Sequence, residues 1–270
     1  MKNVSIKKIA FTLSEMLITM GIIGVVAALT IPNMMGTTNE AETVAKVKKI
    51  YADFSNAHNM AVAKYGPIDT WFTNSTAYPD CEEEYPQICK VAYFDRINEF
   101  IKVTKTCRDE AGNNCMGSSY NYLNDTAYGS LDGTASGILS NGASFIITRF
   151  RYQRCNPKEY DEVTNYMGFE DSCSSIKVDI DGPNNGDNQF GVDLFEFVIT
   201  TRGLKPYGDG LFWDDTNIKN NCSGLGTYCT AWVIKNGNMD YLNTNHSGSN
   251  IGICKKNTSV TLSTTASSCK

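Results

Sequence analysis

Residues 11 to 31, FTLSEMLITMGIIGVVAALTI, make a predominantly apolar run of 21 residues directly after MKNVSIKKIA, whose charged side chains are Lys2, Lys7 and Lys8. As a helix the run would span about 31 Å, enough to cross a hydrocarbon core of about 30 Å. The basic flank and apolar run together form an export signal, with the lysines on the cytoplasmic side and the rest of the chain outside. One residue does not fit a plain anchor. Glu15 sits early in the run, where an unpaired carboxylate would cost about 2.5–3.5 kcal/mol at mid-bilayer on insertion scales, so it needs a partner or a place near the headgroups. Thr12, Ser14 and Glu15 also separate the lysines from the continuous apolar stretch, whereas an ordinary secretory signal starts its apolar core at once. A conventional signal peptide cut after Ala27, or a simple anchor, is the competing reading.

Past Pro32 the apolar positions resume at helical spacing: Val44, Val47, Tyr51, Phe54, His58, Ala61 and Tyr65, with Lys46, Lys48, Lys49, Asp53 and Lys64 on other faces. Alternating steps of three and four predict an amphipathic helix, and Gly66-Pro67 is where it should stop. One helix of about 55 residues, roughly 80 Å if unbroken, would then run from the membrane into a soluble head. Gly24 and Pro32 mark where it could kink. His58 lies on the apolar stripe and reads as a packed core residue.

The ten cysteines, Cys81, Cys89, Cys107, Cys115, Cys155, Cys173, Cys222, Cys229, Cys254 and Cys269, all follow residue 80. An even number with close neighbours fits disulfides formed in an oxidising compartment. Connectivity does not follow from sequence, but the simplest pairing joins neighbours: 81 to 89, 107 to 115, 155 to 173, 222 to 229 and 254 to 269. With two histidines far apart and no Cys-x-x-Cys, a structural zinc has little to bind to. The formal charge is −5, with 24 Lys+Arg against 29 Asp+Glu. Without Lys2, Lys7 and Lys8 the basic residues fall to 21 and the charge becomes −8. No basic excess is available to hold nucleic acid. No nucleophile elbow, phosphate-binding loop, zinc-protease or dinucleotide motif occurs, and Asp214-Asp215 beside Trp213 is a weak carboxylate pair, so a non-enzymatic protein is expected.

The head, residues 67–270, reads as α+β. A short helix is expected over Ala92–Thr104, and strands over Ser144–Tyr152, Ser175–Asp181 and Asp193–Thr200, where β-branched and aromatic residues lie between turn residues. In CTAWVIKNGNMDYL the AWVI run fits a short helix closed at Gly237, or a strand entering an Asn236-Gly237 hairpin; helix is slightly favoured. Trp232 and Tyr241 read as core residues. The segment VDIDGPNNGDNQFGVD offers Asp179, Asp181, Asn184, Asp187 and Asp193 as oxygen ligands, a set suited to calcium. Its spacing departs from the EF-hand, and an Asp/Asn/Gly turn between strands needs no metal. No other cofactor is called for.

KKIAFTLSEMLITMGIIGVVAALTIP resembles the N-terminal segment of type IV pilins and of the pseudopilins of type II secretion systems. The head segments Val178–Phe197 and Cys229–Leu242 are similar to parts of large pilin-like proteins. The resemblance implies a leader, residues 1–10, removed by a prepilin peptidase between Ala10 and Phe11, and N-methylation of Phe11. Ala10 stands where the family most often has Gly. It also implies Glu15 as the glutamate on which assembly depends, and Gly24 and Pro32 as the helix-weakening positions. The implied fold is a long N-terminal helix, membrane or filament-core residues 11–35 and amphipathic residues 36–66, packed on an antiparallel sheet in a disulfide-tied head. The implied role is a structural subunit of a secretion pseudopilus or surface pilus in the cytoplasmic membrane, then in a periplasmic or cell-surface filament. Its partners would be further copies, related pilin-like subunits, the peptidase, an assembly platform and lipid. Some members bind calcium in a head loop. A monomeric membrane-anchored binding protein and a secreted disulfide-rich protein starting near Ala28 are the alternatives.

Overall fold

A computed structural model describes residues 13–71, 86–108, 115–131, 135–148, 150, 155, 169, 171–210 and 213–270, apart from the side chains of 15, 26–38 and 86–88. The chain separates into two compact units, Met1–Glu42 and Thr43–Lys270. One helix, α1 (Leu13–Tyr65), supplies all the described secondary structure of the first unit and opens the second. The leader and its cut between Ala10 and Phe11 lie outside the described residues.

In the second unit the stripe read from the sequence is the buried face of α1. Val44, Val47, Phe54, His58 and Ala61 are buried together with Ile50 and Ala57, while Lys48, Lys49 and Lys64 are exposed. The helix stops where expected: Gly66 takes a left-handed φ of 86°, its amide donates to the Val62 carbonyl at 2.9 Å, and Pro67 follows.

The helix expected over Ala92–Thr104 is displaced. It is α2 (Pro86–Asn98), and Val103–Cys107 is strand β1. Pro86 suits a first helical turn, where its missing amide has no partner to lose, and the β-branched Val103, Thr104 and Thr106 favour strand. Where three strands were expected, six form one antiparallel sheet. After β2 (Tyr120–Asn121) and β3 (Ala127–Gly129), a separate hairpin, come β4 (Ser136–Leu139), β5 (Ser144–Ile147), β6 (Ser172–Asp179), β7 (Leu194–Thr200) and β8 (Gly203–Pro206). The sheet order is β1-β4-β5-β6-β7-β8. The three expected runs are β5, β6 and β7, though β5 ends at Ile147, short of Tyr152, which is outside the described residues. Pro206, which has no amide to donate, sits in edge strand β8.

One face of the sheet carries Phe145, Ile147, Ile176, Val178, Phe195, Phe197 and Ile199, in a single core with α1 and α2. Phe145 meets Phe54 edge-on at 5.1 Å and stacks on Phe94 at 5.7 Å, and Tyr51 stacks on Phe197 at 5.5 Å. The second face is also covered, so every residue of β6 and β7 is buried. Lys177 Nζ donates to Glu196 Oε1 at 2.7 Å across the two strands, and the Glu196 amide donates to the Thr230 hydroxyl. That hydroxyl belongs to α3 (Cys229–Asn236), whose end at Gly237, φ 66°, makes Asn236-Gly237 a helix cap and not a hairpin turn. Trp232 and Tyr241 are fully buried. Trp232 Nε1 donates to Asn238 and the Tyr241 hydroxyl to the Gly191 carbonyl.

Four of the neighbour pairings are present: Cys107–Cys115, Cys155–Cys173, Cys222–Cys229 and Cys254–Cys269. Cys89 is disulfide-bonded as well; Cys81 lies outside the described residues. The fold is therefore α+β, an antiparallel sheet with helical cover and disulfide-tied loops. Phe54 is buried and meets the sheet at Phe145, so Phe54→Ala should cost about 3–5 kcal/mol in urea denaturation followed by tryptophan fluorescence. A loss below about 1 kcal/mol would mean that the helix does not pack on the sheet through this ring.

Candidate functional site

Two places in the chain combine chemistry-bearing residues with an arrangement that a plain core would not need. The first is the start of α1. Leu13, Met16, Leu17, Ile18, Met20, Ile22, Ile23 and Val25 are between 47% and 81% exposed. They lie on every side of the helix, not along one stripe. A helix apolar all round is ordinarily buried all round, in lipid or among other helices. At Gly24 an added Cβ would meet nothing within 4 Å, and α1 runs on through Gly24 and Pro32. The Glu15 side chain, like Phe11, lies outside the description, and among the described residues no helix is long and apolar enough to cross a membrane.

The second place is the loop joining β6 to β7, built around two buried carboxylates. Asp179, fully buried at the end of β6, accepts from the Gly182 amide at 2.9 Å and the Asp181 amide at 3.2 Å, and from the Tyr120 hydroxyl of β2 at 2.8 Å. Asp193, before β7, accepts from the amides of Asn188 at 2.7 Å and Gln189 at 2.6 Å. Gly186, φ 74°, passes so close that a Cβ would lie 2.3 Å from Asp193 Oδ2. Gln189 in turn donates to the Tyr122 carbonyl and Asp125, joining the loop to the β2–β3 hairpin.

This arrangement bears on the calcium set. Asp179 and Asp193 spend their oxygens on backbone amides and a tyrosine, Asp181 pairs with Lys46 at 3.0 Å, and Asn184 and Asp187 are exposed. Among the described residues no group of three or more His, Cys, Asp or Glu is placed to hold a metal. The oxygen-rich loop is closed by backbone N–H donors to Asp179 and Asp193. Sequence reasoning missed Tyr120 and the Lys177–Glu196 pair. The signal was there in Ser175, Lys177 and Asp179, polar at every second position of β6, but such alternation ordinarily marks a solvated face.

His58 is buried with Nδ1 hydrogen-bonded to the Tyr93 hydroxyl at 3.0 Å, a core residue as expected. His246, far from His58 in the chain, donates its Nδ1–H to the Ser223 carbonyl at 2.8 Å. Burial lowers the His58 pKa from 6.5 to about 4. Asp179 goes the other way, from 3.8 to about 7, because burial and the charge of Asp193 outweigh its hydrogen bonds.

The signs are opposite. For His58 the folded value lies below the unfolded one, so its contribution is complete above about pH 6.5 and lost as pH falls toward 4. For Asp179 the folded value lies above, so its contribution is complete below about pH 4 and lost as pH rises toward 7. Relative to wild type, His58→Asn should therefore melt progressively higher as pH is lowered from 7 to 4, and Asp179→Asn progressively lower. Each relative change is on the order of 3 kcal/mol. Two variants with the wild-type pH profile of melting temperature would contradict both assignments. The chain matches no family model, no curated protein and no solved structure.

Proposed function

We propose that the chain is a prepilin-like structural subunit, held in the cytoplasmic membrane by residues 11–31, processed at Ala10–Phe11, and polymerised through α1 into a type II secretion pseudopilus or type IV pilus. The observation that carries this reading is the helix start, apolar and exposed on all sides and preceded in sequence by Lys2, Lys7 and Lys8. Such a surface is satisfied in lipid before assembly and by parallel copies of itself afterwards. The work is mechanical: one helix buried against many copies gives a rod whose outer surface is the disulfide-tied head. Phe11, once freed by cleavage and methylated, would present a positive amine. In a staggered bundle that amine on one copy can meet Glu15 of another, which offsets the cost of burying the carboxylate and fixes the register.

Prepilin peptidase, an assembly platform in the membrane and related pilin-like subunits are the partners this role requires. Glu15→Ala leaves the neighbour's amine unpaired in an apolar environment. Polymer recovered by sedimentation from sheared cells should fall by about tenfold or more, equivalent to about 1.4 kcal/mol per contact, with processed monomer retained in the membrane. Unchanged polymer in Glu15→Ala would contradict this role for Glu15. A wild-type chain that is monomeric in its membrane would point instead to an anchored binding protein.

A further inference from the structure

The sequence holds three Asn-Gly pairs, Asn141-Gly142, Asn185-Gly186 and Asn236-Gly237. Such a pair is open to internal attack, because glycine has no side chain to keep its backbone nitrogen away from the preceding side-chain amide. The fold treats the three differently. Gly142 donates its amide to the Leu139 carbonyl at 2.9 Å, and the Asn141 side-chain oxygen is held by the Ala143 amide at 3.1 Å. Gly237 donates to the Val233 carbonyl at 3.0 Å in the cap of α3, where Asn236 is the last helical residue. The Gly186 amide meets no acceptor among the described residues. Asn185 and Gly186 are both exposed, and the Asn185 side chain is tied at the surface through Nδ2, which donates to the Asp181 carbonyl at 3.1 Å.

We propose that Asn185 is a site of self-modification, at which the folded chain deamidates through a cyclic imide formed with Gly186. The Gly186 nitrogen gives its proton to solvent and bonds to Asn185 Cγ. The Cγ–Nδ2 bond breaks, and Nδ2 takes up a proton and leaves as ammonia. Water then opens the ring: addition at Cγ leaves an aspartate, and addition at the backbone carbonyl leaves an isoaspartate, whose main chain is one carbon longer. No electrons are gained or lost, and water is the one co-reactant. At Asn141 and Asn236 the glycine must first release its hydrogen bond, and at Asn236 the helix end must unwind as well, which slows both.

Asn185 sits in the loop that Asp179 and Asp193 close. A carboxylate at 185 joins Asp179, Asp181, Asp187 and Asp193 in one short stretch, where Lys46 already pairs with Asp181. Like charges so close repel one another. The change also removes the donor to the Asp181 carbonyl. An isoaspartate lengthens the main chain between Asp181 and Asn188, the residue whose amide bonds Asp193. Both products loosen the closure of the loop joining β6 to β7.

The test incubates the full-length chain in detergent at neutral pH and physiological temperature, beside a second sample unfolded in urea, and follows proteolytic peptides by mass spectrometry. In the folded sample the Asn185 peptide should gain about 1 Da and separate into aspartate and isoaspartate forms. Its rate should exceed those of the Asn141 and Asn236 peptides by about tenfold or more, and in urea the three rates should converge. Equal rates at the three sites in the folded chain overturn the proposal. So does an Asn185 peptide that stays unchanged while the urea sample reacts. Asn185→Asp should lower the melting temperature of the head by about 2–4 °C, and a variant that melts with the wild type overturns the loosening of the loop.

Discussion

Burial of the Val44-to-Ala61 stripe of α1 against one face of the six-stranded sheet is the contact on which the head depends. Without it, Phe145, Ile176, Val178, Phe195 and Phe197 would face water. At about 25 cal/mol per Å2 of apolar surface, a handful of such rings outweighs any single surface ion pair. The disulfides act on a different link. Cys107–Cys115, Cys155–Cys173, Cys222–Cys229 and Cys254–Cys269 close loops of 8, 18, 7 and 15 residues, restricting the unfolded chain in the regions with the least regular structure.

The other face of the sheet is held by a different chemistry. Lys177, Glu196 and Asp179 are buried under the β2–β3 hairpin, the β6–β7 loop and α3, and each has named partners. Buried ions of this kind add little net stability over an apolar filling, but removing one partner strands the other. Their effect is to fix which loop lies over which strand. Asp179 and Asp193 do this most directly, gathering amides from opposite ends of one loop and so holding it shut.

Much of this was legible in the sequence because its periodicity was clean. The α1 stripe, its stop at Gly66-Pro67 and strands β5 to β7 follow from spacing and composition, and four disulfides are those of the simplest pairing of neighbours. Helix α2 was misplaced because Val103–Cys107 is a short edge strand with few apolar residues, which local pattern does not separate from a helix end. Strands β4 and β8, four residues each, are too short to carry a period. The second buried face was hidden for another reason: Ser175, Lys177 and Asp179 look solvated until the segments that cover them, distant in sequence, are folded over. The amides and the tyrosine hydroxyl that Asp179 and Asp193 accept from are hidden from the sequence for the same reason.

The start of α1 remains the part of the chain whose physics points beyond one molecule. Its apolar residues are exposed and its glutamate has no role in a simple anchor, so processing and packing against other copies form the central claim. Mass spectrometry of the N-terminal peptide of the mature protein from its native membrane tests that claim most directly. The account predicts a peptide that begins at Phe11 and carries one added methyl group. A peptide that begins near Ala28 would contradict it and leave a secreted, disulfide-tied head with no filament helix.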